Sequence, residues 1–193
     1  MAEFALKRMS LDEFLQWDSD DGARYELVDG FPVAMAPRAE AHRILAMQLA
    51  TRIDAALASR RPCNAQMEAG VVRPDRADSY FEVDIGVTCA ANEPGRQALK
   101  EPILLIEILS PTTERHDRRV KLPAYRQIDS VQEIVLIAAD DHYAEVHRRE
   151  GARWIIDLVR GAEAMLSLTT IGIEVSLGTL FEAIALPTDE PPA

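Results

Sequence analysis

The sequence predicts a mixed-sheet α/β domain, in which helices cover a sheet of parallel and antiparallel strands. An apolar run from Ile103 to Leu109 has the composition of a strand that is covered on both faces. A helix-compatible segment, 113–126, and a second apolar strand, 132–138, follow it. Strand, helix and strand in this order favour a crossover between parallel strands. Hairpin patterns near both ends of the chain add antiparallel strands.

A short helix and a hairpin are predicted near the N-terminal end. Residues 10–13, Ser-Leu-Asp-Glu, fit a capping box, and apolar residues follow at helical spacing. Two strands, 24–28 and 31–35, flank Asp-Gly, which is a preferred hairpin turn. Pro32 favours an edge position for the second strand, because proline cannot donate to a central ladder.

The middle of the chain predicts a long helix followed by strands. Residues 39–59 have helical apolar periodicity, which Arg-Arg-Pro ends, and one or two short strands are predicted within 63–72. The run 81–89 alternates strictly, which places Asp84 on the side away from the apolar residues. The residues expected together on the apolar side are Phe81, Val83, Ile85, Val87 and Cys89.

The C-terminal part predicts a second hairpin, 143–149 with 153–158, around Glu-Gly. A short strand at 165–168, a helical turn at 180–184 and a frayed tail at 187–193 complete the chain. We therefore predict a single domain over 1–193. Its parts are a core at about 39–138, an N-terminal helix and hairpin at 10–36, and a C-terminal hairpin and tail at 143–193.

Composition limits the classes of function. No apolar run approaches the roughly 20 residues of a membrane span, and the N-terminus lacks the order of a signal peptide, so we expect a cytoplasmic protein without membrane contact. Cys63 and Cys89 form no CxxC motif and are expected to be buried small hydrophobes, with no disulfide. The net charge of -11 argues against broad attraction to nucleic acid. Residues 113–126 nevertheless contain five bases and two acids, which predicts a local basic patch.

Glu107 is the anomaly of the apolar run, because a buried carboxylate needs a cation, hydrogen bonds or a shifted pKa. In the next segment Asp117, Lys121 and Tyr125 recur every four residues and share one helical face. Asp84 and Glu107 can supply the pair of carboxylates that Mg²⁺ takes from a protein, and Lys121 can stabilise charge on a phosphate. The pattern therefore indicates a metal and phosphate site.

Simpler interpretations of the same residues stay open. Asp84 can be solvated, and Glu107 can pair with an arginine. Lys121 and Asp117 can form an exposed i,i+4 pair worth about 0.2–0.5 kcal/mol, in which case Lys121→Met leaves the melting temperature nearly unchanged. His42 is either a phosphate or acid contact or a structural histidine, and Glu26 either joins the acidic cluster or is exposed. The four arginines that either contact phosphates or are merely solvated are Arg115, Arg118, Arg119 and Arg126.

A series of motifs extends over nearly the whole chain: 25–30 (YELVDG), 35–37 (MAP), His42, 83–87 (VDIGV), 106–113 (IEILSPTT) and the Asp117, Lys121 and Tyr125 series. Together these motifs resemble those of the Uma family of putative restriction endonucleases. The resemblance implies the PD-(D/E)XK restriction-endonuclease-like fold, a mixed sheet flanked by helices, and a Mg²⁺-dependent phosphodiesterase site, with Mn²⁺ as an alternative ion. Asp84, Glu107 and Lys121 match the catalytic residues, and Asp84 and Glu107 the metal ligands. The supporting residues are Glu26, His42, Ser110, Asp117 and Tyr125.

Two positions depart from the superfamily pattern. Val83 stands where proline usually precedes the aspartate, so Pro74-Asp75 is a competing match, and Leu109 stands where the lysine usually lies. We prefer Asp84, because it belongs to an alternating strand whereas Asp75 falls in a predicted turn.

The leading function is a metal-dependent DNA endonuclease that binds DNA weakly and with strong salt dependence. The alternative is a catalytically silent nuclease-fold domain for binding or interaction, which the acidic net charge favours. An acyl or glycosyl hydrolase using Asp84 and Glu107 is weaker, because nothing around them suggests a sugar platform. The sequence leaves open whether the protein forms a homodimer.

Overall fold

The computed structural model describes residues 8–187, and their strands form one eight-stranded mixed sheet and a separate two-stranded ribbon. The sheet contains β1 (Tyr25–Val28), β2 (Phe31–Ala34), β3 (Asn64–Val72), β4 (Tyr80–Thr88), β5 (Pro102–Leu109), β6 (Glu133–Ala138), β7 (Tyr143–Glu150) and β8 (Arg153–Arg160). The ribbon contains β9 (Met165–Leu168) and β10 (Ile173–Ser176). The sheet order is β2-β1-β4-β5-β6-β7-β8, with β3 also paired to β4. Only β5 and β6 are parallel among these strands.

Helical segments cover this sheet and connect its strands. They are α1 (Leu11–Leu15), α2 (Glu40–Leu57), α3 (Glu114–His116), α4 (Leu122–Tyr125) and α5 (Leu177–Phe181). A π-helical turn, Asp117–Lys121, joins α3 to α4. The resulting helical segment, 114–125, carries the chain from β5 to the parallel strand β6, which confirms the predicted crossover.

Two apolar cores hold the central strands from opposite sides. Leu45, Leu49 and Ile53 lie one α-helical turn apart on α2 and are buried in the core that contains Ile85 and Ile106. Complete burial of each such side chain contributes about 1.5–3 kcal/mol. The second core contains Leu122 and Tyr125 of α4, with Phe81 and Leu105 from the sheet. β5 is consequently a strand with apolar cover on both faces, as its sequence predicts.

The N-terminal hairpin extends the sheet next to β4. Asp29 and Gly30 have φ values of 51° and 84°, and two successive positive φ values suit a tight hairpin turn. Pro32 lies on β2, which ends the strand order, so the predicted edge position is confirmed. Leu27 pairs with Tyr80 of β4. This pairing sets the neighbouring Glu26 beside the middle of the sheet.

The predicted strict alternation of β4 is wrong. Phe81 and Val83 pack in the core under α4, whereas Ile85 and Val87 pack in the core under α2. β4 pairs with β1 at Tyr80 but with β5 only from Ile85 onward, so the strand passes from one core to the other where it changes partners. Asp84 lies at this transition.

The prediction for the two cysteines is also wrong, because Cys63 and Cys89 form a disulfide. Asn64 and Thr88 pair across β3 and β4, so the residues just outside that pair lie opposite each other. The two cysteines are 26 residues apart in sequence, and no local motif indicates their proximity. The strand pairing alone brings them together.

The C-terminal hairpin, β7 with β8, and the strand β9 confirm their predictions. β10 was not predicted, and the last helix begins at Leu177, where Ser176 caps it, instead of at Leu180. Of the predicted frayed tail, residues 188–193 lie outside the described residues.

Candidate active site

Asp84 and Glu107 lie opposite each other on two neighbouring strands. Ile85 of β4 pairs with Ile106 of β5 in antiparallel register, so the residue before Ile85 faces the residue after Ile106. Both carboxylates are buried and line one cleft of about 250 Å³. The sheet register thus brings together the two acids that the sequence predicts as metal ligands.

Asp84 is fixed by contacts to both of its carboxylate oxygens. Oδ2 accepts a hydrogen bond of 2.8 Å from the backbone N–H of Ile108, and Nε2 of His42 lies 3.1 Å from the same oxygen. Oδ1 accepts from Nε and Nη2 of Arg38, at 3.2 Å each. Burial raises the pKa of Asp84, but the hydrogen bonds from His42 and Ile108 outweigh it and hold this pKa below its usual value. Asp84 is therefore an ionised acid in a rigid setting.

Glu107 is the most deeply buried acid of the site, with only 1% of its surface exposed. The hydroxyl of Tyr125 donates to Oε1 at 2.6 Å, and Nζ of Lys121 lies 3.3 Å from Oε1 and 3.4 Å from Oε2. Burial, with smaller repulsions from neighbouring carboxylates, raises the pKa of Glu107 well above its usual value, although Lys121 opposes this shift. Glu107 therefore has the partners that its apolar setting predicts, the ammonium of Lys121 and the hydroxyl of Tyr125.

Lys121 lies at the centre of an acidic cluster. Nζ is 2.9 Å from Oε1 of Glu26 and 3.5 Å from Oδ1 of Asp117, and it donates to the backbone oxygen of Glu82 at 2.8 Å. Burial lowers the pKa of Lys121, but Glu107, Glu26 and Asp117 together raise it above its usual value. With 4% exposure Lys121 is not the exposed partner of a surface pair, so that interpretation is wrong.

Asp117 and Lys121 face the cleft from the π-helical turn, and Tyr125 reaches Glu107 from the following helix. π-helical turns are rare and often occur at functional sites. Burial raises the pKa of Asp117, and Lys121 opposes that shift. The predicted common face of the three residues is confirmed, although the helix that carries it is not a regular α-helix.

Glu26 joins this cluster from β1 and is 3% exposed, so its alternative interpretation as an exposed strand residue is wrong. Oε1 accepts from the backbone N–H of Glu82 at 2.9 Å, and Oε2 lies 2.8 Å from Nε2 of His116. With the ion pair to Lys121, Glu26 links β1, β4 and the helical segment. Ser110 lines the same cleft, and its hydroxyl lies 3.0 Å from those of Thr112 and Thr113.

The predicted basic patch is smaller than its sequence suggests. Arg118 donates to Glu114 at 2.7 Å and makes two hydrogen bonds to Glu145, at 2.9 and 2.8 Å. Arg115 and Arg119 are exposed, and Arg119 faces a groove on another side of the helical segment. Intramolecular pairing thus reduces the surface that is available to phosphate.

The competing aspartate, Asp75, lies outside the site. It is in the turn after β3, where Arg73 holds its carboxylate at 2.6 Å. Asp75 does not line the cleft that contains Asp84. The geometry therefore favours Asp84 as the match to the motif's aspartate.

The cleft offers the hard oxygen donors that Mg²⁺ prefers, because Glu26, Asp84, Glu107 and Asp117 all line it. Within residues 8–187, no group of three or more acidic, histidine or cysteine side chains is arranged as a ready-made metal site. Mg²⁺ needs only one or two protein carboxylates, and the opposed pair Asp84 and Glu107 meets that requirement. The residues therefore fit a hard divalent cation. Arg38 also contacts Asp84, and Lys121 contacts Glu107.

With this geometry established, comparison with known proteins assigns the family. A family model described as "Uma2: Putative restriction endonuclease" matches residues 11–179. The chain belongs to the Uma2 family. Two relatives from Synechocystis sp., the uncharacterized proteins slr1290 and sll1609, are 26% and 24% identical over 189 and 175 residues. The alignments cover 92% and 86% of this Uma2 chain and 94% and 96% of the relatives.

A solved structure shares the fold of this Uma2 chain. The crystal structure of a putative nuclease belonging to DUF820 from Anabaena variabilis superposes with a TM-score of 0.74 at 20% sequence identity. The match covers 90% of this chain and 98% of that chain. The predicted fold class, a mixed α/β sheet flanked by helices as in this nuclease, is confirmed. None of the helices within residues 8–187 is long and apolar enough to cross a membrane.

Sequence reasoning missed three residues at the Uma2 site: Arg38, Glu82 and His116. Arg38 contacts Asp84, Glu82 contacts Arg38, and His116 contacts Glu26. The spacing of two between Glu82 and Asp84 is the one available signal, because alternate strand residues share a face. Arg38 and His116 are distant in sequence from their partners, so only the folded sheet reveals their contacts.

Proposed function

We propose that the chain is a metal-dependent endonuclease that hydrolyses phosphodiester bonds in DNA, with Asp84, Glu107 and Lys121 as its catalytic residues. One observation carries the proposal: two opposed strand carboxylates and a buried ammonium line the same cleft. Membership of a family described as a putative restriction endonuclease gives this geometry its chemical context.

Asp84 and Glu107 would hold the cation, with Mg²⁺ as the expected ion and Mn²⁺ as an alternative. When bound, such an ion supplies Lewis-acid stabilisation of negative charge at the phosphate. The contacts behind each carboxylate prepare it for this role. Ile108 and His42 hold Oδ2 of Asp84, and Tyr125 holds Oε1 of Glu107, so neither side chain has to become ordered when the ion arrives.

Lys121 acts as a fixed positive charge in this proposal. The surrounding carboxylates raise its pKa above the usual value, so the ammonium keeps its proton at neutral pH and does not serve as a general base. A preorganised ammonium stabilises the charge that develops on a phosphate as its bond breaks. Glu26 and Asp117, which both contact Nζ, are positioning residues for Lys121.

Binding of DNA would depend on few cationic contacts. The net charge is -11, and of the predicted phosphate-binding arginines only Arg115 and Arg119 are exposed. Each phosphate contact adds about 0.9 to the slope of log affinity against log salt. Two such contacts would give a slope of about -1.8, so we expect weak binding that loses affinity as salt rises.

A silent nuclease-fold domain is the second candidate, and specific contacts favour it. Lys121 and Arg38 already neutralise the carboxylates that a metal would need. In that case the cluster is a structural ion-pair network, and the protein cuts no nucleic acid with any divalent ion.

Cleavage of supercoiled plasmid DNA distinguishes these candidates. The assay compares Mg²⁺, Mn²⁺ and EDTA for wild type, Asp84→Asn and the matched control Asp75→Asn, which removes one carboxylate from the exposed turn. We expect metal-dependent nicking by wild type and Asp75→Asn and none by Asp84→Asn. Equal cleavage by Asp84→Asn and wild type, or loss of cleavage in Asp75→Asn, would contradict the assignment. Absence of cleavage in all three proteins would favour the silent domain.

A further inference from the structure

Arg38 is an arginine at the edge of the active-site cleft that contacts one of the two proposed metal ligands. It belongs to segment 35–39, which has no regular secondary structure, leads from β2 to α2 and lines the cleft. Its side chain is 15% exposed. Nε and Nη2 both donate to the same oxygen, Oδ1 of Asp84. An internal cation therefore already lies against Asp84.

The contacts of Asp84 show which oxygen a metal ion would use. Oδ2 is occupied by the backbone N–H of Ile108 and by His42. Among the described residues, Oδ1 accepts hydrogen bonds only from Arg38, at 3.2 Å each. Because the contacts to Oδ2 belong to the strand and to the buried face of α2, Oδ1 is the oxygen that can exchange its partner.

Arg38 also pairs with two carboxylates other than Asp84. Nη2 donates to Oε1 of Glu82 at 2.9 Å, and Nη1 lies 3.1 Å from Oε1 of Glu68. The contacts from Arg38 to Asp84, at 3.2 Å each, are the longest of the set. Arg38 can therefore release Asp84 and remain paired with Glu82 and Glu68.

We propose that Arg38 is an internal counter-cation of the active site that competes with the divalent ion for Oδ1 of Asp84 and thereby sets the metal affinity. The proposal rests on the proposed function for the identity of the metal ligands. Arg38 holds Asp84 in place in the metal-free protein and shifts onto Glu82 and Glu68 when a cation binds. It is a positioning residue, and its effect is on binding of the ion.

Arg24 supplies a matched control. It forms ion pairs with the same two carboxylates, Glu68 and Glu82, but has no contact with Asp84 among the described residues. Substitution of either arginine by methionine removes one positive charge from the same cluster. A general change in charge therefore acts in both variants, whereas competition at Asp84 is lost only in Arg38→Met.

The test is calorimetric titration of Mg²⁺, and separately Mn²⁺, into metal-free wild type, Arg38→Met, Arg38→Gln and Arg24→Met. Asp84→Ala serves as the variant without the contested oxygen. The apparent dissociation constant is the intrinsic constant divided by the fraction of molecules in which the site is not blocked. If Arg38 blocks Asp84 in about nine molecules of ten, Arg38→Met should bind the ion about tenfold more tightly than wild type. Arg24→Met should change the affinity by less than about threefold, since it leaves that block in place.

Circular dichroism first checks that each variant is folded, and Arg38→Gln retains polar donors if the methionine variant unfolds. Tighter binding in an Arg38 variant than in both wild type and Arg24→Met supports competition. Equal affinities in Arg38→Met and Arg24→Met, weaker binding in both Arg38 variants, or no binding by any protein overturns it. Plasmid cleavage separates the two proposals. If the Arg38 variants bind the ion more tightly but wild type does not cleave DNA, the role of Arg38 stands and the endonuclease proposal is refuted. If wild type cleaves DNA but the Arg38 variants bind the ion with unchanged affinity, the endonuclease proposal stands and the role of Arg38 is refuted.

Discussion

Lys121→Met tests whether the buried acidic cluster depends on its central ammonium. The change retains much of the side-chain length but removes the cation that contacts Glu26, Glu107 and Asp117. Loss of one partner from a buried ion pair costs about 3–5 kcal/mol, because the remaining charge is left without compensation. A change of 1 kcal/mol shifts the melting temperature of a domain of this size by roughly 2–4 °C. We therefore expect Lys121→Met to lower the melting temperature by roughly 6–20 °C at pH 8.

The size of this loss should depend on pH. Burial already raises the pKa values of Glu107 and Asp117, and removal of the ammonium that opposes those shifts raises both further. As the pH falls from 8 to 5.5, the remaining acids can take up protons, and the penalty for burying them shrinks. The difference in unfolding free energy between wild type and Lys121→Met should narrow accordingly.

Urea unfolding at pH 8 and pH 5.5, with thermal melts in parallel, measures both effects. The double variant Lys121→Met with Glu107→Gln should regain part of the lost stability, because it removes one of the uncompensated acids. A melting temperature of Lys121→Met within about 1 °C of wild type at pH 8 would refute this reasoning. Such a result would match an exposed pair worth about 0.2–0.5 kcal/mol and not a buried network.

Two further predictions follow from the site and its surface. Because burial raises the folded-state pKa of Glu107 above that of the unfolded chain, its contribution to stability falls as pH rises from the unfolded value toward the folded one. Glu107→Gln should remove that decline and weaken Mg²⁺ binding. Urea unfolding across pH 4–8 measures the free energy of unfolding as a function of pH, and the same slope in Glu107→Gln as in wild type would count against the raised pKa. Arg115→Ala and Arg119→Ala should each lower the salt slope of DNA affinity by about 0.9, whereas Arg61→Ala, which removes another exposed arginine, should leave it unchanged. Fluorescence anisotropy over a salt series measures this slope, and a flat series would exclude binding led by phosphate.

Much of the fold could be predicted because its elements have local signals. The apolar run of β5, the Asp29-Gly30 turn and the periodicity of α2 each depend on residues close in sequence. The prediction for β4 was wrong, because its apolar residues change from one core to the other where its partner changes from β1 to β5. The disulfide was missed for a related reason: its two cysteines meet only through the pairing of β3 with β4.

The candidate site was predictable where an apolar setting made a charge conspicuous. Glu107 stands out in β5, and the spacing of Asp117, Lys121 and Tyr125 indicates one helical face. Burial of Lys121 was not predictable, because the acids that compensate it come from β1, β5 and its own helical turn. Arg38 was missed since an arginine in a loop gives no sign of the strand carboxylates that it meets.

The π-helical turn makes the site sensitive to the number of residues as well as to their identity. The amide of Leu122 donates to the carbonyl of Asp117, five residues earlier, so this turn contains one residue more than an α-helical turn. Each residue of an α-helix rotates the chain by about 100°. An insertion or a deletion between Asp117 and Tyr125 would therefore turn one of these side chains away from the acids on the sheet. Exchange of an exposed side chain such as Arg119 leaves this geometry intact, whereas a change in the length of the stretch does not.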